Sequence, residues 1–326
     1  MDALLLSPAL LALAPLSVAA GVDLYLTLLL IGAAPTLDLW ATPLPGALGD
    51  LDSPSVLITV GVFYLLEIAA ERHPASAVVW NALHAIIRPV SGALLALLLL
   101  DGQPLLIVGI GATLGGLLAS VAHGIRSGGA VLRWLGAGAG PPTRLLSIAE
   151  DVAVVGLVSL TLDAPAWALG VTVVSLVAVT PFTRSLLRVF GYAVQLIAGR
   201  VFVTLRQRRW LNTGELPAWV AAALQGDDVL APGGALRGSP VGAWKLPGAP
   251  HFVRGWVVVR GGSPVCVYRR RRRTVCVDLG TLDATDVHEA DFFRRVELAA
   301  SGARPFLLFG LGGPSVESLR AEFVAS

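Results

Sequence analysis

The stretch Ser17-Val-Ala-Ala-Gly-Val-Asp23, followed by Leu24-Tyr25-Leu26, lies inside an apolar run covering residues 3–37. An acid in such a run is costly unless it meets water or a partner. A near copy follows later in the chain: Ser120-Val-Ala-His-Gly-Ile-Arg126. Five of the seven positions are identical or exchange Val for Ile, and Arg126 stands where the first copy has Asp23. A second echo pairs Leu66-Glu-Ile-Ala-Ala-Glu71 with Leu146-Ser-Ile-Ala-Glu-Asp151. Together they predict two related halves, with Asp23 and Arg126 at equivalent places and helix breaks at Gly21 and Gly124.

Composition places the chain in the membrane. Hydrophobic residues make up 55% of the 326 residues, charged residues 14%, and the mean hydropathy is +0.74. Soluble domains carry about a quarter charged residues. The charge is unevenly spread: residues 1–205 hold 8 Lys/Arg and 11 Asp/Glu, whereas residues 206–326 hold 16 and 11. An apolar body is therefore followed by a basic, polar domain, which the net charge of +2 conceals. The expected division is a transmembrane domain over 1–204 and a cytoplasmic α+β domain over 205–326. Val18-Ala-Ala20 resembles a signal-peptide cleavage site, but no Lys or Arg precedes the apolar run, so residues 1–20 read as part of the fold.

Spans follow from apolar length, about 20 residues each. Residues 3–37 form the first, tilted or broken at Gly21 and Asp23. Residues 54–71, 75–100, 105–135, 143–162 and 166–187 follow. The third has a polar-faced half, then Pro89, which suggests a kink or a re-entrant start. Residues 188–205 read as an extended or interfacial helix, with a seventh span as the other option. The loops at 38–53, 101–104 and 163–165 lack Lys and Arg; those at 72–88, 126–144 and 184–209 hold nearly all of them. Six spans with both termini in the cytoplasm satisfy this bias. Three spans per half then make the halves (about 3–100 and 104–190) inverted repeats, a common transporter plan.

Four segments resemble a known family: Gly21-Val-Asp-Leu-Tyr25-Leu-Thr-Leu-Leu29, Tyr64-Leu-Leu-Glu67-Ile-Ala-Ala-Glu71-Arg72-His73-Pro74, Trp80-Asn81 with His84 and Ile87-Arg88-Pro89, and Glu150-Asp151-Val-Ala-Val-Val-Gly156. They are similar to the bacterial membrane family known as domain of unknown function 4126, over about residues 10–190. That family usually has Asp-Lys where Glu71-Arg72 stand here, which keeps the charges. The resemblance implies a membrane protein, names no activity and leaves out the C-terminal domain.

Ionisable groups in the body are the candidate site. Glu67 and Glu71 share a helix face, as do His84 and Arg88, and as do His123 and Arg126. Glu150 and Asp151 are adjacent and point apart. Asp23, Glu67, Glu71, Glu150 and Asp151 face a rough balance of Arg88, Arg126, Arg144 and the two histidines. Tyr25 and Asn81 are candidates to line the same pathway; Trp80 reads as a lining residue or an interfacial anchor. The functional reading is a polar site between the halves for an ion, a proton or a charged solute. The structural reading is a set of ion pairs that lock helices, with Glu71, Arg72 and Arg144 at the interface. Gly111-x-x-x-Gly115 is a packing pattern, within the chain or between protomers of a homo-oligomer. No Lys-Ser/Thr follows the glycines, so a phosphate loop is not expected.

In the polar domain, strands are expected at 252–260, 265–268, 274–279 and 306–309, and helices at 214–225, 285–300 and 315–324. Cys266 and Cys276 are spaced for neighbouring strands and not for a metal site. Arg269, Arg270, Arg271, Arg272 and Arg273 form a basic run suited to anionic lipid headgroups, or simply a solvated hairpin tip. It lacks interleaved aromatics, so nucleic acid is not an expected partner. No nucleophile-base-acid set, cofactor motif or metal site appears. The expected function is a transporter or channel in the bacterial inner membrane for a small ion or charged solute, with proton coupling an option. A lipid or polyprenyl-carrier translocase and a non-transporting scaffold with a regulatory cytoplasmic domain are the alternatives.

Overall fold

The computed structural model describes residues 7–37, 46–72, 74–134, 143–202, 209–224, 236–260, 263–271, 273–280, 282–290, 293–299 and 305–324. Arg272 and the loop residues 38–45 and 135–142 lie outside them, as do the side chains of Arg144 and Arg200. The chain forms two compact units, Met1–Phe190 and Gly191–Ser326.

The first unit is helical: α1 Pro8–Val22, α2 Leu24–Ala33, α3 Pro54–Glu71, α4 Pro74–Leu99, α5 Leu105–Trp134, α6 Thr143–Asp163 and α7 Pro165–Phe202, whose residues from Gly191 on belong to the second unit. Five of these, α3 to α7, carry stretches long and apolar enough to cross a bilayer. Their outer faces expose Ile58, Leu65, Ile86, Leu105, Trp167 and Val174, while Asp23, Glu67, Asn81, His84, Arg88 and His123 are buried. Apolar groups outside and ionisable groups inside reverse the arrangement of a soluble bundle. This is a polytopic helical membrane region.

The apolar run at 3–37 is two helices, not one. Ser7 caps α1 by accepting from the Leu10 amide, and Pro8 takes the first position, where its missing N–H costs nothing. α1 stops at Asp23, whose backbone is extended (φ −140°, ψ 102°). The Asp23 carboxylate then accepts from the Leu26 amide at 2.9 Å and caps α2. One residue thus ends one helix and begins the next. The copy at Ser120–Arg126 behaves differently: α5 runs from Leu105 to Trp134 without a break at Gly124, contrary to the expected symmetry. The residue types explain this. Asp offers its oxygens to backbone amides and so competes with the helix ladder, whereas Arg has no acceptor and is a good helix former.

Pro89 lies inside α4, which continues unbroken from Pro74 to Leu99, so the re-entrant start is also corrected. The missing Pro89 amide costs a single ladder bond, and neighbouring helices can make good that loss. Close packing of α4 on α5 supports α4 at this level. A Cβ on Gly115 would stand 2.6 Å from the Gly92 carbonyl oxygen, and one on Gly92 would stand 2.7 Å from that of Gly115. Gly111 packs on Leu100 in the same way. The small-residue pattern therefore serves contacts within the chain. Gly21 does the same between α1 and α5, where a Cβ would meet the Ala119 carbonyl at 2.6 Å. Residues 188–202 continue α7 without a break.

The second unit is built on one antiparallel sheet: β1 Leu211–Asn212, β2 Arg237–Trp244, β3 Phe252–Arg260, β4 Ser263–Arg270, β5 Arg273–Asp278, β6 Asp283–Glu289, β7 Phe293–Ala299 and β8 Phe306–Gly310. The order is β5-β4-β3-β2-β8-β7-β6, with β1 on β2. Two short helices, α8 Ala218–Leu224 and α9 Val316–Phe323, cover it. α9 touches both β4 and β6, which are separated by four strands. Strands lie about 4.8 Å apart, so an eight-residue helix reaches both only if the sheet curls around it. Leu319 and Phe323 sit in that concave core with Val257, Cys266, Val296 and Phe309. On the other face, Val220 and Leu224 of α8 pack on Val258, Val265 and Val267.

The helix expected over 285–300 is the hairpin β6–β7, with Val287 opposite Val296. Only Val296-Glu-Leu298 alternates in polarity within β7, and the strand gains a second partner in β8. Cys266 and Cys276 lie on adjacent strands as expected, but Cys266 stands opposite Val277 and Cys276 opposite Val267, so their side chains point to opposite faces. Both are thiols. Burial pushes the Cys266 thiol up to about 12. Arg294 is buried and donates to the carbonyls of Leu311, Gly313 and Pro314, fastening the loop that enters α9.

Candidate functional site

The candidate site is a chain of buried charges that begins at the Asp23 break. α1 ends with carbonyls that lack intrahelical donors, and a helix C-terminus attracts positive charge. Arg88 of α4 fills that role. Its Nη1 donates to the Gly21 carbonyl at 2.6 Å and also to the Val22 carbonyl. Its Nη2 donates to Glu67 Oε1 of α3 at 2.5 Å. The Arg88 side chain is 0% exposed and that of Glu67 3%. The two helix faces named by the sequence, Glu67/Glu71 and His84/Arg88, therefore meet.

Arg126 of α5 gathers the remaining acids. It donates through Nη1 to Glu67 Oε1 at 3.3 Å, through Nη2 to Glu71 Oε1 at 2.7 Å and through Nε to Glu150 Oε2 at 2.9 Å. Arg133 approaches the other Glu150 oxygen at 3.9 Å. Three carboxylates from α3 and α6 thus converge on one guanidinium, whose rigid fork can serve several acceptors at once. Asp151 faces away from Glu150, as adjacent helix residues must, and interacts with Tyr64 and Asp23.

A second polar group lies beside the first. His84 Nδ1 donates to the Trp80 carbonyl at 2.9 Å, which leaves Nε2 to accept from the Tyr25 hydroxyl at 2.8 Å. A carbonyl can only accept, and that assigns the tautomer. Trp80 tilts over His84 at 4.6 Å between ring centroids and is partly buried against the apolar core of the first unit. Across α4 and α5, His123 Nε2 donates to the Asn81 carbonyl at 2.9 Å, and Ser127 Oγ donates to Asn81 Oδ1 at 3.0 Å.

Sequence reasoning missed Ser127 and Arg133. Both carry a readable signal: Ser127 is four residues from His123 and Arg133 seven from Arg126, so each shares the charged face of α5. It also missed the backbone carbonyls of Gly21 and Val22, for which the sequence holds no side-chain signal. Among the described residues no three of these groups converge as a metal-ligand set. Five acids, Asp23, Glu67, Glu71, Glu150 and Asp151, face three arginines, Arg88, Arg126 and Arg133. Among the described residues one carboxylate oxygen of this cluster, Glu67 Oε2, is buried with no hydrogen-bond partner.

The motif segments that carry this geometry also carry the family. A family model described as Domain of unknown function (DUF4126) matches residues 10–185. The chain belongs to this family. Every charged residue of the site lies within the DUF4126 region, and the sheet domain lies outside it. No curated protein and no solved structure matches the chain.

The basic run is at a hairpin tip. Arg269 and Arg270 end β4, Arg273 begins β5, and Arg271 turns the chain with a left-handed backbone (φ 56°). Arg269, Arg270, Arg271 and Arg273 are all exposed. The Arg269 guanidinium lies 4.6 Å over the Trp219 ring, a cation–π contact that fixes one arm of the tip.

Proposed function

We propose that the DUF4126 region is a transporter or channel for a small ion or charged solute, with its site where two inverted three-span repeats meet. In this reading α1 and α2 together make the first of six spans. The observation that supports it most is the buried cluster around Glu67, in which carboxylates from two helices meet Arg88 and Arg126 and one carboxylate oxygen has no partner among the described residues. Ionisable groups at membrane depth are expensive, and they usually mark an ion pathway. The test is flux of small cations and anions into vesicles holding the purified full chain. Asp23→Asn should lower the measured flux by at least about tenfold, by analogy with other essential intramembrane acids. Unchanged flux would remove the site from the proposal.

One set of contacts favours the scaffold reading instead. Arg126 satisfies three carboxylates, and Arg88 closes the helix break, so most of the charge is paired within the fold. Vesicles that pass no solute would favour that reading. A translocase reading draws support from an open groove of about 600 Å3 along α5, lined by Leu105, Leu106, Gly109, Ile110, Thr113 and Leu114. That lining has no charged group to receive a headgroup.

The same proposal places the protein in a bacterial inner membrane with both ends of the chain in the cytoplasm, and gives the hairpin tip the anionic leaflet as its partner. Each arginine near such a surface contributes about 1 kcal/mol. The full chain in detergent should retain anionic phospholipid over zwitterionic phospholipid, and Arg270→Gln/Arg271→Gln should reduce that preference several-fold. Native mass spectrometry of the complex reads the difference; equal retention by both proteins would leave the tip as solvated surface.

A further inference from the structure

We infer that the ligand of this site is a proton, bound at Glu67 Oε2, and that Arg88 is a tethered cation standing where a transported metal ion would otherwise sit. The inference rests on the transport reading above for its consequence, but not for the binding itself.

Three observations carry it. The first is the position of Arg88. Where a span is broken inside a membrane, the carbonyls at the end of the first half-helix and the acid at the break form a ready cation site. Here the carbonyls of Gly21 and Val22 already hold Arg88 Nη1, and the Asp23 carboxylate already holds the Leu26 amide. Guanidinium is permanently charged and fixed by its own side chain. A metal cation could enter only by displacing a residue that is fully buried. The break is therefore complete as built.

The second is Glu67 itself. Oε1 takes both Arg88 and Arg126, while Oε2 is buried without a partner. A buried acceptor with no donor is costly. A proton neutralises this carboxylate with the least volume of any ligand: an O–H bond forms at Oε2, the buried negative charge is removed, and release returns the proton to water. No redox partner is needed.

The third is the surrounding set of groups. Glu67 faces Asp23 and Tyr25 from the first two helices, Tyr64 and Glu71 from its own, Arg88 from α4 and Arg126 from α5. Glu150 and Arg133 reach it through Arg126, and Asp151 lies beyond Tyr64. On the opposite flank, the hydrogen-bonded pair Tyr25–His84 offers exchangeable protons next to the Asp23 break. When Glu67 is neutral, Arg126 keeps Glu71 and Glu150, and Arg88 keeps its two carbonyls. Of the ion pairs in the cluster, those centred on Glu67 are the ones that a proton loosens.

The experiment has two arms, both on the full chain in lipid vesicles. Infrared difference spectra recorded against pH should show a protonated-carboxyl band that is absent in Glu67→Gln and moved in Glu67→Asp. A trapped pH dye should report proton entry under an imposed gradient, at least tenfold slower in Glu67→Gln and unaffected by exchanging Na+ for K+. A carboxyl band that survives Glu67→Gln overturns the inference. So does a Na+ or K+ flux that Glu67→Gln leaves intact, although transport would then stand. A band lost in Glu67→Gln without proton entry supports proton binding and overturns transport. Glu67→Asp keeps the charge, so its folding guards against reading a misfolded Gln variant as a result.

Discussion

Arg126→Met should destabilise the membrane unit by about 3–5 kcal/mol, the range for removing one partner of a buried ion pair. Three carboxylates depend on this guanidinium, at 3.3 Å for Glu67, 2.7 Å for Glu71 and 2.9 Å for Glu150. Its removal leaves three acids from two helices facing one another without a cation between them. The Arg126 side chain is 8% exposed, so water cannot take its place, whereas Glu71 and Glu150 are 23% and 20% exposed and can be partly hydrated. That difference sets the compensation to expect. Arg126→Met/Glu67→Gln should recover more stability than Arg126→Met/Glu71→Gln, because Glu67 has no access to water. Thermal unfolding of the purified protein in detergent measures each step. A single variant as stable as the parent would show that the cluster is slack and the distances are incidental.

Arg88→Met should be comparably severe, again about 3–5 kcal/mol. It removes the donor to Gly21 and Val22 and the closest partner of Glu67. Arg88→Lys should recover only part, since one ammonium cannot span two carbonyls and a carboxylate as a planar fork does. Arg88→Met/Glu67→Leu should be milder than Arg88→Met alone, because an apolar pair leaves no buried charge unmatched. Hydrogen exchange at the start of α2 separates this from general destabilisation. If the α1–α2 junction is held by Arg88, the amides near Leu26 and Thr27 should lose protection in Arg88→Met before those of α5 do. Equal loss everywhere would mean that Arg88 stabilises the bundle without holding the break.

Much of the site was legible because helix geometry is a strong rule. Spacings of four placed Glu67 with Glu71 and His84 with Arg88 on single faces, and the tight turn between α3 and α4 brought Glu67 and Arg88 together. The symmetry inferred from Ser17–Asp23 and Ser120–Arg126 was legible only as sequence. The two copies diverge at the residue that matters, since Asp23 ends a helix and Arg126 continues one. In the sheet domain, β2 Arg237–Trp244 went unread: two glycines and a proline weaken its strand signal, and its pairing with β3 and β8 stabilises it. Residues 285–300 failed for a related reason. Val287, Ala290, Phe293 and Val296 recur every three residues like a helix face, and strand pairing outweighs that local pattern.

Composition and residue pattern suffice to specify a membrane protein with an apolar body, a basic polar domain, an acid breaking the first apolar run and strands carrying its two cysteines. These follow from transfer energies and side-chain periods, which act within a few residues of chain. Tertiary structure alone decided the partners. Arg126 reaches three acids on two other helices, and Arg88 holds backbone carbonyls that have no signature in any side chain. Such choices depend on which groups three-dimensional packing leaves unsatisfied at low dielectric; among the described residues Glu67 Oε2, Arg88 Nε and Arg133 Nε are such groups in this cluster.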